Sequence, residues 1–242
     1  MNKKPTYAIV VVLATLMAAC SAYRAKKQEA LLQYPDLGAI VKTQAEIGYR
    51  TVTQVGAAHW DQLQVTVQQL PFNPESYLAY AKAMQRAKKI NTIPYQDSLP
   101  YGPKYVRLQL MDKIALTNRL NDKENTAVLT YLEKDPTLSV VTSLDVALTE
   151  EEISLFKAAQ RLILTKDKQG NTVLEVAGAT GQELYYFSEL PIFRYGCATF
   201  CWGEDRYHRK RIENIAPEGT RCPKGTFAKP RKVKGDKKYV KL

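Results

Sequence analysis

Polar and apolar residues alternate most strictly at Gln62-Leu63-Gln64-Val65-Thr66-Val67-Gln68. Side chains on a β-strand point alternately to its two faces, so this pattern predicts a strand with one buried face and one wet face. The same alternation recurs at residues 106–110 and over residues 138–148. One-sided strands of this kind are typical of antiparallel sheets that pack a core on one face.

Helices with recognisable starts lie between these strands. Asn73 is a good N-cap, and Pro74 suits the first helical position because its missing N–H is not needed there. Thr149 and Glu152 have the spacing of a capping box, in which each side chain binds the other's backbone N–H. Three glutamates at residues 150–152 are therefore explained by helix capping and by the helix dipole, without a catalytic role.

The remaining segments complete the predicted order of elements. Two shorter helices are expected at residues 112–120 and 123–134, and a hairpin with Gly170 in its turn follows further on. Residues 39–60 show no clean period and are left without an assignment. The mixed order predicts an α+β fold with a mostly antiparallel sheet and helices on one face.

The net charge of +11 is concentrated at the C-terminus. Residues 208–242 carry 12 Lys or Arg against 3 Asp or Glu, so nine of the eleven net charges lie there. An apolar content of 45% is ordinary for a globular protein. We therefore expect an α+β domain over residues 39–207, followed by a basic, flexible C-terminal tail over residues 208–242.

The N-terminus has the layout of a secretory signal. The positive start Met1-Asn2-Lys3-Lys4 is followed by an uncharged apolar run at residues 8–19. A run of 12 residues is short for a membrane span, which needs about 20. Residues 1–19 are thus expected to be a signal peptide that is removed.

The end of this signal, Leu16-Met17-Ala18-Ala19-Cys20, resembles the lipobox of bacterial lipoproteins. The resemblance covers only the first twenty residues, and Met17 stands where that motif usually has Leu. It implies that Cys20 is acylated, for example with palmitate, and that residues 20–38 form a lipidated tether to a membrane. An ordinary signal peptide, with an incidental cysteine, is the alternative.

Residues just after Cys20 bear on which membrane holds the anchor. In lipoproteins that this signal resembles, Asp after the lipidated Cys retains the protein in the inner membrane, whereas Ser21 implies the outer membrane. The basic residues 23–27 favour a periplasm-facing protein. The inner membrane and the cell surface stay open as alternatives.

An exported chain meets little nucleic acid, so the basic tail predicts other anionic partners and no nucleic acid. Candidates are phospholipid headgroups, phosphorylated or acidic envelope polymers and an acidic partner protein. A solvated tail without a partner is the alternative, because charged segments of low hydrophobicity are often disordered.

Three cysteines remain after Cys20, namely Cys197, Cys201 and Cys222. On an extended strand Cys197 and Cys201 would lie ~13 Å apart, whereas a disulfide needs Cα atoms within roughly 7 Å. An exported compartment permits disulfides, so we expect Cys222 to bond with one of the other two and to pin the start of the tail. A zinc site made by these three and His208 is a weaker alternative, and we expect no metal and no cofactor.

Aromatic and basic residues are interleaved from about residue 185 to residue 211. Such mixtures are typical of binding surfaces, although strand packing explains aromatic residues equally well. The candidate binding residues are Arg194, Tyr195, Trp202, Arg206, Tyr207, Arg209, Lys210 and Arg211.

The sequence contains neither a nucleophile elbow nor a phosphate-binding glycine loop. We therefore favour a membrane-anchored envelope lipoprotein with a non-enzymatic binding or scaffolding role, for instance beside an envelope complex. The alternative is an envelope hydrolase that acts on cell-wall or glycan substrates through two carboxylates. No catalytic residue can be named from the sequence, so enzymatic activity stays open.

Overall fold

Antiparallel strands dominate the computed structural model, which describes residues 34–46, 49–60, 62–91, 93–95, 102–178 and 181–233. The predicted signal peptide, Cys20 and the tether up to residue 33 lie outside these ranges, as do residues 234–242 of the predicted tail. The described strands are β1 (Ala39–Glu46), β2 (Tyr49–Ala57), β3 (Leu63–Pro71), β4 (Lys104–Leu110), β5 (Leu138–Val146), β6 (Arg161–Lys166), β7 (Thr172–Gly178), β8 (Gly181–Tyr186), β9 (Ile192–Glu204) and β10 (Lys210–Pro217).

These strands form one curled sheet in the order β10-β9-β5-β4-β3-β6-β7-β8, with β1 and β2 as a side branch. The branch starts at β5, which pairs with β9 along one edge. The other edge of β5 is shared, because β4 pairs with residues 143–146 and β1 pairs with residues 138–140. All recorded pairings are antiparallel, so the predicted α+β class with an antiparallel sheet is confirmed.

Four α-helices accompany the sheet in the described ranges: α1 (Pro74–Arg86), α2 (Lys113–Leu120), α3 (Thr126–Lys134) and α4 (Glu150–Ala158). Both predicted caps are present. The Asn73 side chain accepts from the N–H of Ser76, and Thr149 and Glu152 bind each other's backbone N–H. None of the helices in the described ranges is long and apolar enough to cross a membrane.

The main core lies on the face of β4 that carries Val106 and Leu108, both without exposed surface. Tyr105 alternates with them, so it points to the other face, where it packs against α1 together with Phe72 and Phe193. The ring centroids of Phe72 and Tyr105 are 5.0 Å apart. Helix α1 therefore has its own small aromatic core, separate from the main one.

The unassigned residues 39–60 form the β1–β2 hairpin. Ile40 pairs with Gly56, but Val41 pairs with Gln54, so Val55 is an extra residue in the ladder. A bulge of this kind shifts the alternation by one residue, and this is why the stretch shows no clean period. Strand β10 also differs from the prediction. The segment from residue 208 was predicted to be a flexible tail, but residues 210–217 of it form a strand of the sheet.

Candidate functional site

A disulfide joins Cys201 on β9 to Cys222, with the Cα atoms 5.6 Å apart. The predicted bond of Cys222 is therefore confirmed, and its partner is Cys201. Cys201 is fully buried, so the bond fixes the chain after β10 to the interior of the sheet. Cys197 also lies on β9, is buried and is not part of this disulfide.

The chain after Cys222 is held at three more places, and we call residues 221–233 the pinned segment. The backbones of Trp202 and Phe227 form a two-bond bridge, with N···O distances of 2.8 and 2.9 Å. Since Trp202 pairs with Ile212 of β10 on its other side, Phe227 extends the sheet beyond the end of β5. Pro230 and Val233 are buried at the end of the segment.

The pinned segment carries only positive formal charges. No Asp or Glu occurs between residues 219 and 233. Each of its basic side chains belongs to an exposed residue, and none forms a salt bridge with another described residue; they are Arg221, Lys224, Lys229, Arg231 and Lys232. The disulfide, the backbone bridge and the two buried residues thus hold five cations at the surface, although this part of the chain has little regular secondary structure.

The turn between β9 and β10, residues 205–209, is organised by one carboxylate. Asp205 Oδ1 accepts the N–H groups of Tyr207 and Arg209 at 2.8 and 3.0 Å, and Oδ2 accepts Arg209 Nε at 2.9 Å. Hydrogen bonds from Arg209, the backbone one first, hold the pKa of Asp205 below its usual value. His208 has φ of 61°, a left-handed conformation that closes the turn.

Two guanidinium groups lie close to the ring of Tyr207 at this turn. The Cζ atoms of Arg206 and Arg209 are 4.7 and 5.1 Å from its centroid, within the range of cation–π attraction. Tyr207 is 59% exposed. Because three of the predicted binding residues form this exposed group, we call residues 205–209 the hairpin tip.

The other predicted binding residues lie elsewhere. Trp202 is 1% exposed and packs in the main core, so it does not contribute to an exposed surface. Tyr195 is partly buried against the ring of Tyr34. Lys210 forms a salt bridge with Glu133 at 2.7 Å.

Arg211 is partly buried, and its Nε atom has no hydrogen-bond partner in the described structure. This atom is surrounded by protein and is not displayed for a partner. Arg211 therefore belongs to the edge of the core more than to the hairpin tip.

Arg194 belongs to a charged row that the sequence analysis missed. Arg107 on β4, Asp145 on β5 and Arg194 on β9 are direct cross-strand neighbours. Asp145 is buried and accepts Arg107 Nε at 2.7 Å, Arg107 Nη2 at 3.0 Å and Arg194 Nε at 2.6 Å. Donating hydrogen bonds to the Asp145 carboxylate raises the pKa of Arg107, against the effect of burial. The sequence does show one charged residue inside each of these strands. It does not show the strand register, which is what places the three charges side by side.

The residues needed for the two alternative sites, the zinc site and the pair of catalytic carboxylates, have other partners in this structure. Cys201 and Cys222 are bonded to each other, so they cannot act as the thiolates of a zinc site. In the described ranges no cluster of three His, Cys, Asp or Glu residues is arranged to hold a metal ion. The two buried carboxylates of these ranges, Asp145 and Glu175, are each bound by arginine, Glu175 by Arg161 at 2.8 Å. Neither is a free catalytic carboxylate.

Comparison with family models, curated proteins and solved structures found no match to this chain.

Proposed function

We propose that this protein is an exported, lipid-anchored envelope protein with a non-enzymatic binding role. The pinned segment, together with the hairpin tip, is its binding surface. The observation that carries the binding role is the set of five exposed cations without a described acidic partner on a segment fixed by a disulfide and a backbone bridge. Fixing the cations in advance lowers the entropy lost when they bind a partner.

The anchor is supported by the sequence of residues 1–20, which carries the secretory layout and the lipobox-like end. The Cys201–Cys222 bond supports the same compartment, because disulfides persist in oxidising surroundings and are rare in the cytosol. By the resemblance of Ser21, the proposed location is the outer membrane, with the protein facing the periplasm.

Acyl labelling and membrane fractionation of three forms of the chain test the anchor. The wild type should incorporate labelled fatty acid and fractionate with the outer membrane. Cys20→Ala should lose the label and should leave the membrane fraction when the membranes are washed with high salt. Ser21→Asp is the matched control, because it should keep the label and move to the inner membrane.

The anchor is refuted if Cys20→Ala keeps the label or stays with the membrane after a high-salt wash. The binding role is tested separately, by cross-linking in intact cells. Replacing the five cations of the pinned segment by Gln should remove most cross-linked envelope material. Unchanged cross-links would reject the pinned segment as the binding surface.

A further inference from the structure

Two exposed aromatic rings accompany the cations of the pinned segment and the hairpin tip. Phe227 is 40% exposed, although its backbone is bonded to Trp202, and Tyr207 is 59% exposed. The backbones of both residues are held by hydrogen bonds, Phe227 to Trp202 and Tyr207 through its N–H to Asp205. Water-exposed phenylalanine is unfavourable, so a partner that offers both negative charge and an apolar layer suits this surface.

An anionic bilayer offers both. Lys and Arg side chains are attracted by the negative surface potential of anionic lipids, and Phe and Tyr rings insert at the boundary between headgroups and acyl chains. A soluble anionic polymer would satisfy the cations but would leave Phe227 in water. The chemistry of the surface therefore favours lipid headgroups over a soluble polyanion.

The positions of the cations along the chain keep them together. Arg221 and Lys224 lie within two residues of Cys222, which is bonded to Cys201. Lys229 lies two residues after Phe227, which is bonded to the neighbouring Trp202. The two attachment points on β9, Cys201 and Trp202, are adjacent residues. At ~3.3 Å per residue, the Cα atoms of these three cations therefore lie within about 15 Å of both points.

The tether length allows this surface to reach the membrane that holds Cys20. Thirteen residues lie between Cys20 and Tyr34, so the chain between these two positions spans at most about 50 Å when fully extended. Tyr34 contacts Tyr195 on β9, and Trp202 is seven residues further along the same strand, or ~23 Å. A tethered domain is held at a high effective concentration, so a weak surface contact is sufficient to dock it.

We propose that the pinned segment and the hairpin tip dock on the surface of an anionic phospholipid bilayer. The inference extends the proposed function, since it names the partner of the same surface, and it makes the lipid at Cys20 and the basic surface two contacts with one membrane. The domain would then lie against the bilayer instead of standing off at the end of its tether.

Vesicle co-sedimentation tests the proposal without the lipid anchor. The sample is the chain that signal removal would leave, residues 20–242, with Cys20→Ala so that no acyl chain is attached. We expect it to bind vesicles of equal parts phosphatidylglycerol and phosphatidylcholine, and not vesicles of phosphatidylcholine alone. Binding should weaken as salt is added, because salt screens the surface potential.

Two triple variants with the same loss of charge give the decisive comparison. The first, Lys224→Gln, Lys229→Gln and Lys232→Gln, should bind the anionic vesicles at least about tenfold more weakly. The control changes three exposed lysines outside the pinned segment and the hairpin tip, namely Lys89→Gln, Lys113→Gln and Lys168→Gln. It should lose less than about threefold, since only the net charge changes. Circular dichroism confirms that each variant is folded.

Equal losses in both triple variants would overturn the proposal, and so would equal binding to neutral vesicles. Binding to soluble polyglutamate without binding to vesicles would overturn it as well, in favour of an acidic polymer. Because the protein in these samples carries no acyl chain, a negative vesicle result does not bear on the anchor at Cys20. A failed acylation experiment likewise does not bear on the vesicle result.

Discussion

The side-chain amide of Asn121 forms both hydrogen bonds of a strand pair with the backbone of Ile212. Its Nδ2 donates to Ile212 O at 2.7 Å, and its Oδ1 accepts the Ile212 N–H at 3.0 Å. Asn125, four residues later, does the same with His59, at 3.2 and 2.7 Å. The connection between α2 and α3 therefore fastens β10 and the end of the β1–β2 hairpin by two side chains that imitate a neighbouring strand.

Asn121→Ala should lower the free energy of unfolding by about 2–4 kcal/mol, because the N–H and C=O of the buried Ile212 would both lose a partner. Urea denaturation measures this loss. Asn118→Ala on the exposed side of α2 is the control, and it should change the free energy by no more than about 0.5 kcal/mol. Equal effects of the two substitutions would mean that the amide pair adds nothing to stability.

Gly38 allows the tryptophan at position 60 to approach the backbone. Its φ is +79°, and a Cβ there would lie 2.7 Å from both Leu164 Cδ2 and Trp60 Nε1. Gly219 has nearly the same φ, +81°, but open space around it. We expect Gly219→Ala to cost about 1 kcal/mol from backbone strain, and Gly38→Ala to cost at least about 2 kcal/mol more from overpacking. Thermal and urea unfolding of both variants would measure the difference, which should vanish if the core around Trp60 relaxes freely.

The disulfide should contribute about 3 kcal/mol to stability, as expected for closing a loop with a sequence separation of 21 residues. The Cys201→Ser, Cys222→Ser double variant should show this loss and should no longer respond to a reducing agent. Thiol titration of the unfolded, unreduced chain with Cys20→Ala should find one thiol, that of Cys197. A second reactive thiol without reduction would contradict the pairing.

Acid should weaken the protein partly through Asp135. A hydrogen bond from Lys42 and two from Thr137 lower the pKa of Asp135 to about 2, from an ordinary value of 3.8. A lowered folded-state pKa stabilises the protein above the unfolded value, and this contribution disappears as the pH falls from about 4 to about 2. Asp135→Asn should therefore be less stable than the wild type at pH 6, and the gap should close across that window.

Lys42→Met tests whether the hydrogen bond from Lys42 is what lowers the pKa of Asp135. Without the lysine, the pKa of Asp135 should rise, and the pH dependence attributed to this carboxylate should become smaller. Urea unfolding measured at several pH values gives both comparisons. Parallel stability curves for the wild type and Asp135→Asn would rule out a role of this carboxylate in acid sensitivity.

The sequence predicted those elements whose pattern is local and one-sided. Residues 62–68, 106–110 and 138–148 correspond to β3, β4 and β5, which lie side by side in the sheet. Each has a face toward the main core, so its apolar residues alternate. Helix starts at Asn73 and Thr149 were equally readable, because a cap needs only residues within one turn.

Other features depend on strand register or on burial by segments that are distant in the chain. A single sequence shows neither. The bulge at Val55 hid the β1–β2 hairpin, and the Arg107–Asp145–Arg194 row requires the alignment of three strands. Trp202 was assigned to a surface because it lies among arginines. Its burial comes from the main core and from the bridge to Phe227, 25 residues further along the chain.

The pairing of β1 with the shared edge of β5 should limit the folding rate of the chain. One edge of β1 pairs with β2 in a hairpin, but on its other edge Ile40 pairs with Val140, about a hundred residues further along the chain. Pairings so distant in sequence are slow to form, since a long loop must close before any contact offsets the entropy. Until that pairing forms, the edge of β1 that faces away from β2 lacks its strand partner. We therefore expect refolding from urea to be slow and sensitive to protein concentration, with early chain association as the competing outcome.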